Sequence, residues 1–257
     1  ILIDTGIGDY HGKKFDQRFG VTNSSAPLIS LLKDSMKISP SDITDVILSH
    51  LHFDHVGGLG TMIQDEFESH FPKAMLHLHK KHYQYAIHPT IRDAGSFEEN
   101  YFKNIIEKAD SQGLVHWLTD EEGTLIEDDD IHLSYKCSHG HTPWMMHPYD
   151  ERFIYMADLV PTLSHIPLAW VMGYDISPGK TTTDKSSFYE FISKNELTMI
   201  FEHDLHYWGA RIKDHQELHS QVSLQKRFEV VESFKTHETN WEDSFCSPEL
   251  KVLEIFA

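Results

Sequence analysis

Four short apolar segments, far apart in the chain, each end in residues with metal-binding side chains. The segments and the residues that follow them are 46–48 with His50, 131–137 with His141, 152–156 with Asp158, and 197–201 with His203. Short apolar runs of this kind predict strands that are covered on both faces, as in layered α/β proteins. Because rigid strands fix the positions of the side chains at their ends, the pattern predicts an α/β fold with a multi-ligand site where these ends meet.

Other stretches have helical patterns. Residues 27–36 and 184–194 repeat large apolar residues three and four positions apart, which predicts two amphipathic helices. Ser96 followed by Glu99 has the form of a capping box, which predicts that a third helix begins there. A further strand is predicted at 74–78.

A histidine-rich loop follows the first apolar segment. It carries His50, His52, Asp54 and His55, and a Gly-Gly pair that permits a sharp bend comes soon after. Histidines two residues apart in a tight loop can point the same way, while the carboxylate and the last imidazole turn toward a second position. This donor set suits zinc, and also iron, manganese or cobalt. The alternative is a solvated loop rich in histidine, which the strand before it and the glycines after it disfavour.

The segment SHLHFDHVGG at 49–58 resembles the signature of metallo-β-lactamase-fold hydrolases. Within that superfamily it is most similar to N-acyl-homoserine lactonases and to relatives of methyl parathion hydrolase. Further landmarks follow in the family's order, namely IDTG at 3–6, GHTP at 140–143, ADL at 157–159 and FEHD at 201–204. The resemblance extends from residue 1 to about residue 210. Trp144 stands where the family often has a glycine, so the turn after GHTP is not predicted by the resemblance.

The resemblance implies an architecture. It implies an α/β four-layer αββα sandwich, with two mixed sheets and helices on the outer faces. We expect a single domain over 1–257, in which about 228–257 forms a C-terminal extension that adds a strand at 250–256.

The resemblance also implies a centre with two divalent metal ions, zinc in the first place and iron, manganese or cobalt as alternatives. One ion would be held by His50, His52 and His141. The second would be held by Asp54, His55 and His203, with Asp158 bridging the two.

Two of these positions have competitors in the sequence, and a third has an alternative role. His139 lies two residues before His141, although the Gly-His-Thr-Pro context favours His141. His206 competes in the same way with His203. Asp158 has the alternative role of capping the turn that follows it.

The implied activity is hydrolysis, in which two ions share a hydroxide that attacks an ester. A lactone is the first choice of substrate, as in quorum-quenching lactonases, and a phosphotriester or a thioester is the alternative. Asp54 is the candidate for delivering a proton to the leaving alkoxide, against a role as ligand only. Phe53 and the aromatic residues and methionines after His141 and Asp158 are candidates for an apolar wall that receives an acyl chain, against ordinary core packing. A non-catalytic metal-binding protein is the alternative of another class.

Composition limits the partners. The formal net charge of -18 disfavours nucleic acid, and no apolar run reaches the roughly 18 to 20 residues of a membrane-spanning helix. Two cysteines provide no disulfide framework, which is compatible with a cytoplasmic location. The chain begins without Met, so we expect residues upstream, and a secreted or periplasmic form stays open. The expected partner is a small-molecule substrate with an apolar acyl part, and the sequence leaves open whether the chain forms a homodimer.

Overall fold

The computed structural model describes residues 1–21, 27–64, 66–128 and 131–212, together with the backbone of 228–230. Its contacts divide the chain into two units, the first spanning Ile1–Thr119 and the second beginning at Asp120. The strand expected at 250–256 lies outside the described residues. The single domain over 1–257 stays a prediction.

The first unit contains a parallel sheet, a small hairpin and most of the helices. Its strands are β1 (Leu2–Ile3), β2 (Asp45–Ile47), β3 (Gly60–Ile63), β4 (Glu66–Ser69), β5 (Met75–His79) and β6 (Val115–Leu118). Its helices are α1 (Lys13–Phe19), α2 (Pro27–Ser30), which continues into a π-helical segment at Leu31–Ser35, α3 (Phe53–Val56), α4 (Lys80–Ala86) and α5 (Glu99–Ser111). The sheet has the order β1-β2-β5-β6 with every described pair parallel, and β3 pairs with β4 in an antiparallel hairpin.

The core of the first unit explains this arrangement. Alternate residues of β2 and β5, such as Val46 and Leu76, are buried in one cluster with Leu32. Phe102 and Ile106 from α5 join the same cluster. Because strand side chains alternate between faces, His77, next to Leu76, belongs to the opposite face of the sheet.

The second unit contains a mixed sheet and one long helix. Its strands are β7 (Glu122–Glu127), β8 (His132–Ser138), β9 (Met145–Tyr149), β10 (Phe153–Tyr155), β11 (Thr198–Ile200), β12 (Gly209–Ile212) and β13 (Phe228–Val230), and its helix is α6 (Pro178–Lys194). The order is β13-β12-β11-β10-β9-β8-β7, with β10 and β11 parallel and the other neighbours antiparallel. A mixed sheet is therefore found in the second unit, whereas the described sheet of the first unit is parallel throughout.

Strand direction decides where the candidate ligands lie. In the first unit, Asp4 follows β1 and His50 follows the parallel neighbour β2. In the second unit, β8, β10 and β11 all point the same way, so the residues that follow them, among them His141, Asp158 and His203, lie at one edge of the sheet. Among the described residues, none of the helices has both the length and the apolar character that a bilayer span requires.

The predicted capping box at Ser96 is wrong. Ser96 lies in a short 3-10 turn, Phe97 is extended, and α5 begins at Glu99 after a residue that makes no side-chain cap. The serine hydroxyl therefore does not lie at the N-terminus of the helix, where it would accept from the first backbone N–H groups.

Candidate metal centre

Asp4 organises the histidine-rich loop of the first unit. Its carboxylate is 2% exposed and accepts hydrogen bonds from the Ser49 backbone N (2.7 Å) and from Ser49 Oγ (2.5 Å). It also accepts from Nδ1 of His55 at 2.9 Å. The ligand atoms of Asp4, His50 and His55 lie within 4.8 Å of one another, but the Asp4 oxygens already receive three donors. Asp4 therefore orients the loop.

These hydrogen bonds determine which imidazole nitrogens have a lone pair. Ser49 Oγ donates to Asp4, so the 3.0 Å contact with His50 Nδ1 is a bond in which the imidazole N–H donates. The Nε2 atom of His50 then has a lone pair, as does Nε2 of His55. His50 Nε2 lies 3.1 Å from Nδ1 of His52, and both rings are buried. Two buried imidazole nitrogens at this spacing fit two ligands of one metal ion.

Asp54 lies beside His55, as the sequence predicts. It is part of α3, its side chain is 32% exposed, and its Oδ1 lies 4.0 Å from Nε2 of His55. A partly exposed carboxylate next to a buried imidazole can serve as a ligand and still reach a substrate.

The Gly-Gly pair after the loop permits a close contact between two backbone segments, whereas the sequence predicts that it permits a sharp bend. Gly57 has an ordinary φ of -59°, but a Cβ there would lie 2.1 Å from the carbonyl oxygen of Ile7. A Cβ on Gly58 would lie 2.1 Å from the carbonyl oxygen of Thr5. These positions require glycine because two backbone segments run in contact.

Three predicted ligands come together in the second unit. Nε2 of His141 lies 3.0 Å from one oxygen of Asp158, and Nε2 of His203 lies 3.1 Å from the other. Asp158 is buried, and each of its oxygens faces a different imidazole. This is the arrangement that a carboxylate bridging two cations requires.

Asp175 fixes the orientation of His141. It is fully buried and accepts from Nδ1 of His141 at 2.9 Å and from the hydroxyl of Thr181 at 2.8 Å. Burial alone would lower the pKa of His141, but the carboxylates of Asp158 and Asp175 outweigh it and raise the pKa to about 9. In the metal-free chain the His141 imidazole is therefore protonated on both nitrogens at neutral pH. An incoming metal ion must displace the proton on Nε2.

Glu202 is a candidate that sequence reasoning missed as a ligand. Asp158, Glu202 and His203 each offer a ligand atom within 4.8 Å of the others, and the Tyr155 hydroxyl donates to Glu202. The sequence feature that could have identified Glu202 is its position beside His203 in the FEHD motif. Asp175 had no such signal, because it lies 34 residues from His141 and follows no motif.

The sequence competitors have other partners. His139 bonds to Glu121 at 2.9 Å and accepts from the backbone N of Trp144 at 3.2 Å. Trp144 has a φ of 63°, the left-handed conformation that glycine adopts most easily, so the turn forms without glycine and His139 supports it. His206 is exposed, and its backbone N donates to Asp204 in a capped turn.

Only some of the side chains predicted to form an apolar wall for an acyl chain are exposed in the second unit. Met145 and Met146 are fully buried and belong to the core, whereas Trp170 and Tyr174 are exposed. Lys185 is fully buried, and its Nζ donates to the carbonyls of His165, Pro167 and Trp170. It thereby holds the segment that follows Asp158 against α6.

Comparison with known proteins agrees with this site chemistry. The profile described as the metallo-beta-lactamase superfamily matches residues 1–203. N-acyl homoserine lactonase AttM of Agrobacterium fabrum (strain C58 / ATCC 33970) is 23% identical over 182 residues, covering 68% of this chain and 63% of that protein. This chain thus spans less than two thirds of the relative's length.

Solved structures show the same fold. A probable metal-dependent hydrolase from Staphylococcus aureus has a TM-score of 0.67 at 24% identity, covering 82% of this chain and 72% of that one. The dizinc quorum-quenching lactonase AidC, solved with a product, has a TM-score of 0.62 at 19% identity, covering 93% of this chain and 76% of that one. The predicted α/β fold of the metallo-β-lactamase type is confirmed. Because the superfamily profile covers well over half of its residues, this chain belongs to the metallo-beta-lactamase superfamily.

Proposed function

We propose that this chain is a metal-dependent hydrolase that opens a lactone or a similar ester at a centre with two divalent metal ions, zinc in the first place. The observation that carries the proposal is the placement of Asp158, whose two oxygens face His141 and His203 at 3.0 and 3.1 Å. The oriented imidazoles of the histidine-rich loop supply the remaining donors that such a centre needs. The proposed ligands are His50, His52, Asp54, His55, His141, Asp158 and His203.

The donor set fits zinc. It combines two carboxylates with five imidazoles, and Asp175 holds the second nitrogen of His141 as Ser49 holds that of His50. When bound, two such ions lower the pKa of water toward 7 and polarise the substrate carbonyl. The chain's own residues hold the ligand atoms in position before the ions arrive.

Asp54 is proposed to deliver a proton to the leaving alkoxide. Its carboxylate lies 4.0 Å from Nε2 of His55 and remains partly exposed, so it can face both the centre and a bound ester. The attacking water loses a proton when it adds to the ester carbonyl, and ring opening leaves an alkoxide that needs one. The carboxylate of Asp54 can accept the proton from the attacking water and pass it to that alkoxide.

An aromatic cluster beside Asp54 supports a substrate with an apolar acyl part. Phe53 precedes Asp54, and its ring lies 5.1 Å from that of Phe15 and 4.9 Å from that of Phe19. Phe19 is 43% exposed, and α1 buries none of its residues in the core. This cluster offers an apolar surface next to the proposed centre, where an acyl chain would be removed from water.

Turnover of three substrate classes tests the activity. Zinc-loaded protein should hydrolyse an N-acyl homoserine lactone with a kcat/KM at least about tenfold above that for an aryl phosphotriester or an acyl thioester. A higher value for the triester or the thioester would assign one of those substrates instead. Bound zinc without turnover of any of the three would favour the non-catalytic metal-binding protein.

The role of Asp54 has its own test. Asp54→Asn should retain bound zinc and lose about 10²- to 10⁴-fold in kcat, because the amide cannot deliver the proton. Asp16→Asn in α1, the matched control with a carboxylate that is partly exposed like that of Asp54, should change neither quantity. Loss of zinc together with kcat would show that Asp54 is needed as a ligand and would leave its proton role undefined, whereas unchanged kcat would exclude the proton role.

A further inference from the structure

A second group of histidines lies in the parallel sheet of the first unit, apart from the histidine-rich loop. His77 on β5 is paired in register with His116 on β6 and with Ile47 on β2, and Asp45 begins β2. Nε2 of His77 lies 2.8 Å from Oδ1 of Asp45, and its Nδ1 lies 3.1 Å from Nδ1 of His116. The three side chains thus form a line from carboxylate to imidazole to imidazole.

Asp45 determines the tautomer of His77. Burial alone would raise the pKa of Asp45, but hydrogen bonds from His77 and Thr44 outweigh it and hold that pKa below its usual value. The ionised carboxylate can only accept, so Nε2 of His77 donates to it and Nδ1 of His77 has the lone pair. That lone pair points at His116.

His116 lies on the edge strand β6 and is exposed. Partial burial and the neighbouring His77 lower the pKa of His116, so its imidazole is neutral near pH 7. A neutral imidazole can turn a lone pair toward the same point as His77. His77 is buried, so an ion from solvent would approach from the side of the exposed His116.

We propose that a divalent transition metal ion binds between Nδ1 of His77 and Nδ1 of His116, with Asp45 orienting His77 and water completing the coordination. Ligand nitrogens at about 2.05 Å from a tetrahedral zinc ion lie about 3.3 Å apart, close to the spacing observed here. A carboxylate that holds the other nitrogen of a ligating histidine is the usual support of such a site.

The alternative is an ordinary N–H···N hydrogen bond between the two rings. The same 3.1 Å spacing of ring nitrogens recurs between His50 and His52, the pair that we assign to one ion of the catalytic centre. The formal net charge of -18 also raises the local concentration of cations around the chain. The equal spacing rests on the proposed function, whereas the charge favours an ion over a shared proton independently of it.

Counting bound zinc tests the site. Native mass spectrometry of the zinc-saturated protein should show one ion fewer in His116→Ala than in the wild type, however many ions the other centre holds. His132→Ala is the matched control, because His132 is an exposed histidine 2.9 Å from the carboxylate of Glu127, and it should bind as many ions as the wild type. Equal counts in the wild type and His116→Ala would overturn the proposal.

A second measurement requires no substitution. In protein with ¹⁵N-labelled histidine, zinc should shift the Nδ1 resonances of both His77 and His116, whereas ring resonances that stay unchanged at saturating zinc would overturn the proposal. Because His116 lies outside the proposed catalytic centre, His116→Ala should hydrolyse ester substrates at the wild-type rate.

Discussion

Asp4 orients two of the proposed ligands of the metal centre. Its carboxylate receives donors from both Ser49 and His55, and through Ser49 it fixes the ring of His50 as well. Its φ of 52° is in the left-handed region, which costs an Asp residue backbone free energy. The strain is maintained because three hydrogen bonds hold the carboxylate in this position.

Asp4→Asn should weaken zinc binding by about 10- to 100-fold. The amide has one acceptor oxygen where the carboxylate has two, so it cannot receive all three donors and His55 loses its fixed orientation. A competition titration with a chelator measures the affinity.

Asp93→Asn is the control for this change. Asp93 is also a buried carboxylate of the first unit, and it accepts from the hydroxyls of Tyr85 and Thr90. Its variant should lose stability but keep the zinc affinity. If Asp4→Asn binds zinc as tightly as Asp93→Asn does, Asp4 does not orient the ligands.

His147 makes the stability of the second unit depend on pH. The ring is fully buried between Ser138 Oγ (2.8 Å) and the carbonyl of Tyr155 (3.2 Å), and burial lowers its pKa to about 4. The unfolded chain takes up this proton near pH 6.5, whereas the folded chain stays neutral until about pH 4. The contribution of His147 to stability is therefore complete above pH 6.5 and is lost as the pH falls toward 4.

Urea unfolding in the presence of a chelator should show this loss. Between pH 6.5 and pH 4 the wild type should lose up to about 3 kcal/mol more unfolding free energy than His147→Gln does. His132→Gln, at an exposed position, should follow the wild type. Parallel curves for the wild type and His147→Gln would contradict the assignment.

At the scale of single residues, the sequence indicated candidate ligands more readily than the residues that orient them. His50, His52, Asp54 and His55 could be named as candidates because they lie together in one motif, and their role as ligands stays a proposal. Asp175 could not, because its role depends on the path of the chain between residues 141 and 175. Hydrogen bonds between distant segments leave no local pattern.

At the scale of elements, the segment that contains Gly57 and Gly58 packs against the turn after β1. The backbone N of Gly58 donates to the carbonyl of Gly6 at 3.1 Å, and that of Thr5 donates to the carbonyl of His55 at 2.7 Å. The two glycines thus allow the end of the histidine-rich loop to lie directly on Asp4 and its neighbours.

Gly58→Ala should destabilise the protein by about 1 to 3 kcal/mol, because the new Cβ would lie 2.1 Å from the carbonyl oxygen of Thr5 and one backbone segment must shift. Thermal or urea unfolding measures the loss. Gly95→Ala is the control, since a Cβ there would meet nothing within 4 Å. Equal stability of the two variants would show that the segments do not need this close approach.

Element types were predicted more reliably than element boundaries. The strands predicted at 74–78 and 131–137 are β5 and β8, each shifted by one residue. The helix predicted at 184–194 begins at Pro178 instead. Its first turns bury Thr181 and Lys185, so the buried face of the helix is polar there and apolar periodicity could not reveal it.

At the scale of the whole molecule, the order of the motifs was enough to predict the fold family. The profile match over residues 1–203 confirms it. The directions of the strands could not be predicted in detail, because short apolar runs look alike in parallel and antiparallel pairs. The parallel sheet of the first unit was therefore missed. A cytoplasmic location stays a prediction.

We propose above that seven side chains bind one pair of metal ions. An anomalous difference map from zinc-loaded crystals tests it directly. We predict two neighbouring peaks, one bonded to His50, His52 and His141 and the other to Asp54, His55 and His203, with Asp158 bonded to both. A map with no peak at these residues, or with peaks bonded to the ligands of only one unit, would contradict the account.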